Sequence, residues 1–314
     1  MAVILVCGLI NLETTLRVEG FPVAYTPVQY PFFGVRSTVA GVGYNLAAAL
    51  TRLGHEVRLL SLVGQDQAGA LAQAALAAAG IAAAGVLATL PQTAQSVILY
   101  DGAGRRMIYT DLKDIQEQRY PGAGFAQALA GCDLAVLCNI NFARPFLAAA
   151  RARGVPVATD VHAIADLEDA YNADFMAAAD ILFMSHERLP CPAAEWAARV
   201  QARYDPAVIG VGLGGEGALL ACRGQGPRVI PAVFTRPVVN TIGAGDALFA
   251  AFLHGVLSGE EAPAAMAGAV VFASYKIGAV GAAEGFLSAG ELAGWGARAS
   301  TKRSSPPATR SLQR

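Results

Sequence analysis

The sequence predicts an α/β fold built on a mainly parallel sheet, and three observations carry that reading. Strand-like apolar runs alternate with helix-like runs along most of the chain, the signature of repeated β–α units. The 314 residues suffice for one large or two modest domains with a sizeable core. Apolar residues make up 54% and charged residues 15%, which excludes a disordered or solvating chain.

The elements follow in order. Ala2–Val6 reads as a first strand. Gly43–Leu53 reads as a helix ended by Gly54, and Glu56–Leu62 as the next strand. Ala68 to Leu90 carries no charge and is long enough to span a bilayer. However, Asp66 can cap a helix from Gln67 to Ala79 and Gly80 can end it, so a buried helix is expected and no membrane span. Leu134–Asn139 is a strand, Phe142–Arg153 a helix and Val155–Asp160 a strand. Ala193–Val200 is an Ala-rich helix in which Trp196 packs. Ala207–Val211 is a strand, Val229–Val239 a strand-like run and Ala247–Leu257 a helix.

Two segments break the alternation, residues 12–39 and 93–111, both rich in β-formers. In the second, Ser96–Tyr100 and Arg106–Thr110 flank the turn Asp101-Gly102-Ala103-Gly104 as a hairpin. Both are expected to pair as a small accessory sheet over one end of the main one. One main domain over 1–296 is expected, with 297–314, rich in Ser, Pro, Lys and Arg, as a disordered tail.

Composition narrows the function. A net charge of −1 argues against a nucleic-acid binder, which usually carries a basic face. Five cysteines with no C-x-x-C make a poor disulfide framework and a poor zinc site. They fit a reducing compartment, and the N-terminus has no basic n-region before its apolar run, so a cytoplasmic protein is expected.

The segment richest in chemistry is Asn240-Thr241-Ile242-Gly243-Ala244-Gly245-Asp246, which opens an almost wholly apolar helix. Small residues at a helix mouth let backbone approach a ligand. The free amides there, with the helix dipole, form an anion site. Asp246 in the first turn can cap the helix, or act as base for a hydroxyl attacking a phosphoryl group. A second segment, Ala40-Gly41-Val42-Gly43-Tyr44-Asn45-Leu46-Ala47, also leads small residues into a helix. Asn45 can cap that helix, or offer donor and acceptor to a polyol.

Together these segments resemble the ribokinase or PfkB family of carbohydrate and nucleoside kinases. The first is similar to its D-T-x-G-A-G-D signature, with Asn240 for the leading Asp. The second is similar to G-G-x-x-x-N-x-A, with Ala40 for the leading Gly. Gly8-Leu9-Ile10-Asn11-Leu12-Glu13 resembles G-x-x-N-x-D, Val63-Gly64-Gln65-Asp66-Gln67-Ala68-Gly69 resembles V-G-x-D-x-x-G, and Gly212 to Gly217 resembles T-L-G-x-x-G.

The resemblance implies a three-layer ribokinase-like α/β/α fold whose accessory sheet is a lid. It implies phosphorylation of a sugar or nucleoside hydroxyl by ATP with Mg²⁺, and some members also use a monovalent cation such as K⁺. Asp246 matches the catalytic base, and the amides of Gly243, Ala244 and Gly245 match the anion hole. Asn11, Glu13, Gly41 and Asn45 match acceptor-binding positions, and Asn139, after a strand end, is a further candidate. Ser185, Gly212, Gly214, Gly217 and Thr241 match the nucleotide side, and the lid implies a homodimer contact.

Departures from the pattern bear on the chemistry. Glu13 is one methylene longer than Asp, and Val42 stands where ribokinase-like sequences carry Lys. The family's N-x-x-E, tied to Mg²⁺ and phosphates, falls on Ser185-His186-Glu187-Arg188, so Glu187 would serve the metal from one position early. A non-catalytic sensor on the same fold is the alternative these changes motivate.

Competing motifs are weaker. Gly212-Leu213-Gly214-Gly215-Glu216-Gly217 also fits G-x-G-x-x-G, but Ala218–Cys222 reads as a strand where a dinucleotide site needs a helix. None of the three lysines, Lys113, Lys276 and Lys302, follows a Gly, so there is no P-loop. His55, His162, His186 and His254 share no ligand spacing. Asp160 and His162 end a strand, where α/β enzymes place site residues, and Arg105 and Arg106 sit on the lid hairpin.

Overall fold

The computed structural model describes residues 1–295, so the expected tail at 297–314 lies outside the described residues. Thirteen strands and eight α-helices follow one another in this order among them. β1 is Val3–Cys7, β2 Asn11–Arg17 and β3 Val35–Ala40, then α1 Val42–Arg52, β4 Glu56–Gly64 and α2 Gln67–Ala78. β5 is Val86–Leu90, β6 Gln95–Tyr100 and β7 Arg106–Asp111, followed by α3 Gly122–Leu129, β8 Leu134–Leu137 and α4 Phe146–Ala152. β9 is Val157–Ala163, α5 Ala173–Ala178, β10 Ile181–Ser185, α6 Ala193–Tyr204 and β11 Val208–Gly212. β12 Gly217–Cys222, β13 Arg228–Pro231, α7 Ala244–Leu257 and α8 Ala262–Lys276 complete the list.

The nine-stranded main sheet runs β13-β12-β11-β10-β9-β8-β1-β4-β5. Every pair is parallel from β5 to β11, and β12 and β13 return antiparallel at the edge. Helices cover both faces. Ile4 and Val6 of β1 face a core shared with α1, α2, α7 and α8. Leu5 and Cys7 alternate onto the other face, against α3, α4, α5 and α6. A strand buried on both sides reads as a continuous apolar run, which is why Ala2–Val6 was legible. β1 lies between β4 and β8, so the chain leaves it first to one side and later to the other. The carboxyl ends of strands at such a switch point form a crevice.

The second sheet, β3-β2-β6-β7, stands apart from the first. Its small core of Ala40, Ile98 and Tyr100 packs on Ile242 and Ala282. The small sheet, expected to be a lid, is therefore seated on the loop that leads into α7. Residues 18–34 between β2 and β3 form no regular element.

Local chemistry explains the boundaries. Asp66 caps α2 as expected, its Oδ1 accepting from the Gly69 amide at 2.8 Å and from the Thr93 hydroxyl at 2.6 Å. A Cβ at Gly69 would lie 1.9 Å from the Gly64 carbonyl. The stretch Gly64 to Gly69 is thus a scaffold joint in which backbone meets backbone. Two expected elements are shorter than predicted. The helix expected from Phe142 starts at Phe146, because Pro145 is its cap. The strand-like run Val229–Val239 is a strand only to Pro231, beyond which the chain leaves the sheet edge; a proline cannot donate to a ladder.

A histidine pair, buried His55 with half-buried His254, ties the start of β4 to α7. The His55 Nδ1 accepts from the Ala2 amide at 3.2 Å, so its Nε2–H faces His254 Nδ1 at 2.9 Å. Burial, with His254 next, holds the His55 ring neutral down to about 4. The unfolded chain takes up that proton near 6.5, so above 6.5 the pair adds no pH dependence. Between about 6.5 and about 4 the unfolded state binds more protons and stability falls. We expect the urea midpoint to drop across that window and the drop to shrink in His55→Gln. A pH-independent difference between the two proteins would reduce the pair to packing.

Candidate active site

Four strand ends and one helix mouth converge at the crevice. α7 begins after Gly243, whose φ of 73° lies in the left-handed region. Only Gly takes that conformation freely, and a Cβ there would lie 2.6 Å from the Ala282 carbonyl oxygen. The close approach fixes the helix mouth against the chain after α8. The Ala244 amide donates to the Thr241 carbonyl at 3.2 Å. The amides of Gly243 and Gly245 meet no acceptor among the described residues, so the free anion-binding donors are narrowed to those two.

Neither Asn45 nor Asp246 caps its helix with its side chain. Instead Asn45 Nδ2 donates to Asp246 Oδ2 at 2.6 Å across 201 residues of sequence. α1 can bring Asn45 there because it starts against the end of β1. A Cβ on Gly43 would lie 2.5 Å from the Gly8 carbonyl carbon. Gly41, with a φ of 100°, makes the turn into α1, and its carbonyl accepts from the Asn45 amide at 2.8 Å.

Asp246 is buried, and burial raises its carboxyl above the ordinary carboxylate range. His162, the Asn45 hydrogen bond and Lys276 pull it back down, while Asp160 pushes it up. Glu13, on β2, is also buried. Desolvation raises it to about 7 against the lowering charge of Lys276. Asn11, two residues earlier on the same strand, donates to Ser96 Oγ of β6 at 2.5 Å. Three acceptor atoms here are buried without a partner: Asn11 Oδ1, Glu13 Oε1 and Asn45 Oδ1. Buried polar atoms are normally satisfied, so three orphans on neighbouring site residues mark a place for a ligand's donors.

The residues expected on the nucleotide side sit at the ends of β10 and β11. Ser185 Oγ accepts from the Glu187 amide at 3.3 Å. Gly212 offers its carbonyl to His186 Nδ1 at 2.8 Å. Gly214 and Gly217 both have positive φ and turn the chain into β12. That antiparallel strand excludes the dinucleotide reading of the glycine run. Thr241 Oγ1 donates to the Gly104 carbonyl and accepts from Arg106, both at 3.2 Å. Arg106 also pairs with Glu187 at 3.1 Å. The tip of the lid hairpin thus reaches the α7 loop and the end of β10, over a cavity of about 480 Å³ lined by Phe21, Arg105, Arg106 and Glu187.

Some candidates fall elsewhere or carry other bonds. Asn139 donates to Asn172 at 3.0 Å, outside the Asn45–Asp246 group. Glu187 is tied to Arg106, and no group of three or more His, Cys, Asp or Glu among the described residues is placed to hold a metal. Two residues gain weight from the structure. His162 has a positive φ of 58°, a strained conformation that clusters at functional sites. Lys276, read from sequence only as not belonging to a P-loop, is wholly buried at the end of α8 and donates to the Ile242 carbonyl. Its signal was a lone charge closing an otherwise apolar helix.

Comparison with known proteins supplies the family. Residues 1–289 match the profile of the pfkB family carbohydrate kinases. The chain belongs to that family. It is 27% identical over 262 residues to an acarbose 7(IV)-phosphotransferase of Actinoplanes sp., covering 82% of this chain and 86% of the relative. It is 30% identical over 259 residues to an ATP-dependent ribose-1-phosphate kinase of Halopiger xanaduensis, covering 81% and 84%. Among solved structures, a microbiome-derived acarbose kinase superposes with a TM-score of 0.84 at 27% identity, over 95% of this chain and 99% of that one. The pfkB assignment makes the protein a kinase with an α/β fold, and among its described residues no helix is long and apolar enough to cross a membrane.

Proposed function

We propose that the protein transfers the γ-phosphoryl group of ATP to a hydroxyl of a sugar or closely related polyol. The observation that carries this reading is the Asn45–Asp246 contact beside three orphaned acceptor atoms at the mouth of α7. Orphaned acceptors call for donors, and a polyol supplies several hydroxyls within one small ring. Asp246 takes the proton of the attacking hydroxyl, and burial, which raises its carboxyl, makes it a stronger base than an ordinary carboxylate. The Gly243 and Gly245 amides receive the charge on the transferred group, aided by the α7 dipole. The lid excludes water, which would otherwise compete as acceptor.

ATP lies along Gly212, Gly214 and Gly217 toward the same mouth. Mg²⁺ keeps most of its ligands from phosphates and water and needs one or two carboxylates from protein. Glu187 is the nearest such group in sequence to the family motif, with Arg106 on it. When bound, the ion neutralises phosphate charge.

An ADP-release assay with ATP and Mg²⁺ tests the reading. Its acceptor panel spans monosaccharides, nucleosides, ribose 1-phosphate and acarbose, the last two being the substrates in the names of the two relatives. One acceptor is expected to raise turnover well above background. ATP binding without turnover on any acceptor would overturn it in favour of a sensor.

The lid also carries an apolar outer surface. Tyr25 is 91% and Phe32 85% exposed between β2 and β3, and the cross-strand pair Val97 of β6 and Tyr109 of β7 is exposed on one face of the small sheet. Apolar side chains gathered in water mark interaction surfaces. We infer a second copy of the chain as its occupant. Sedimentation is expected to show a dimer that Phe32→Ser with Phe33→Ser weakens; a monomeric wild type would sink this.

A further inference from the structure

Lys276 is the one lysine buried among the described residues, and the machinery above assigns it no role. A buried ammonium is costly unless its charge is matched. Here the match is lopsided. Its own bond is to a neutral group, the carbonyl of Ile242, directly before Gly243 and the free amides. The charges that favour it are three carboxylates: Glu13 on β2, Asp246 on α7 and Glu284 beyond α8. Arg236, stacked 3.9 Å from the Tyr275 ring, is the cation opposing it.

Asn240, in the same loop, is neutral and fully satisfied. Its Oδ1 accepts from the Ile242 amide at 3.0 Å and its Nδ2 donates to the Val280 carbonyl at 2.8 Å. An Asp could not make the second bond. The loop therefore brings no carboxylate of its own to recruit a cation, and the chain supplies the positive charge from α8. Glu284 is also fastened from the lid, by Arg36 at 2.5 Å.

We propose that the Lys276 ammonium is a built-in cation of the active site, which fixes the Ile242 carbonyl at the mouth of α7 and balances Glu13 and Asp246, so that no monovalent ion is required there. Lys276 acts through the loop and the two carboxylates and is a positioning residue. The inference rests on the reading of Asp246 as the base. Removing Lys276 deletes a charge that lowers both Glu13 and Asp246. Both would then titrate higher. His162 and Asp160, the other ionisable groups acting on Asp246, stay in place.

The test compares wild type with Lys276→Met, Lys276→Ala and Lys276→Arg. Wild-type turnover is expected to change less than about twofold when tetramethylammonium is exchanged for K⁺ or ammonium at constant ionic strength. Lys276→Met is expected to lose about 10²-fold in kcat and to move the acid limb of its pH profile up by about one unit. Lys276→Arg should keep the limb where wild type has it. Lys276→Ala leaves a cavity beside the Ile242 carbonyl, so ammonium, methylammonium or K⁺ should raise its turnover and its Tm while leaving the wild-type Tm unmoved. Wild-type activation by K⁺ of more than about tenfold, or an unshifted acid limb in Lys276→Met, would overturn the proposal. The ion dependence of the wild-type Tm needs no substituted chain to fold. It also needs no turnover, so failure here and failure of the kinase reading are separate results.

Discussion

Asp246→Asn is expected to lower kcat by about 10²-fold or more while leaving fold and ATP binding intact. The replacement is isosteric. Its amide oxygen can still accept from Asn45 Nδ2, the bond that spans α1 and α7 at 2.6 Å, so α1 keeps its place. What is lost is the capacity to take a proton. Because burial raises the Asp246 carboxyl, wild-type kcat/KM should fall on acidification at a pH above the ordinary carboxylate range. The base must be ionised, so activity is present above its pKa and lost below it. Glu13, raised to about 7 by its burial, acts electrostatically on the same site, so the limb reports the coupled groups and not Asp246 alone. ADP release across pH, with ATP affinity measured by calorimetry, checks this. Turnover in Asp246→Asn within a few-fold of wild type would remove Asp246 from the role of base.

The parts of the site that were legible in the sequence are those whose chemistry is local. Gly243 to Asp246 announces a helix mouth by composition alone, and Asp66 announces its cap. The pairing of Asn45 with Asp246 could not be read, because each residue has a capping role that satisfies local rules, and only tertiary placement refuses it. Glu187 shows the reverse. Its place one position early in the family's N-x-x-E implied a metal by resemblance, yet the structure brings Arg106 of β7 to it, a contact between segments 81 residues apart.

The fold was readable wherever apolar periodicity was strong, as in β1, β4 and α7. Helix α8 escaped notice because Ala and Gly blur its pattern. Lys276 was faint for a related reason. A lysine at a helix C-terminus usually points to water and complements the dipole, so the lone charge closing an apolar helix is a weak signal that packing alone turns into an inward-facing side chain. The same limit applied to Asn240. In sequence it is only an Asn standing for the family's leading Asp, whereas the two bonds it makes show what the neutral side chain does there.

The second large effect is expected from Gly243→Ala. The residue sits at φ 73°, where a Cβ costs about 1–2 kcal/mol from backbone strain alone. The added carbon would also lie 2.6 Å from the Ala282 carbonyl oxygen and 3.1 Å from the Ala282 Cα. Those are backbone atoms, which cannot swing aside as a side-chain end would. Overpacking of this kind adds about 1–3 kcal/mol. The loop must therefore move, and it carries the Gly243 amide, the Ile242 carbonyl held by Lys276, and the start of α7. Losing one aligned donor to a transferred group costs about 10²–10³-fold in kcat, so kcat should fall by that much with a lowered urea midpoint. Gly245→Ala is the control. A Cβ there meets only Asp160 Oδ2, at 4.0 Å, and its φ is not positive. That variant should keep the midpoint to within about 0.5 kcal/mol. Equal losses in both variants would mean that any bulk at the helix mouth is harmful. A loss confined to Gly243→Ala ties the catalytic geometry to the one residue whose backbone demands glycine.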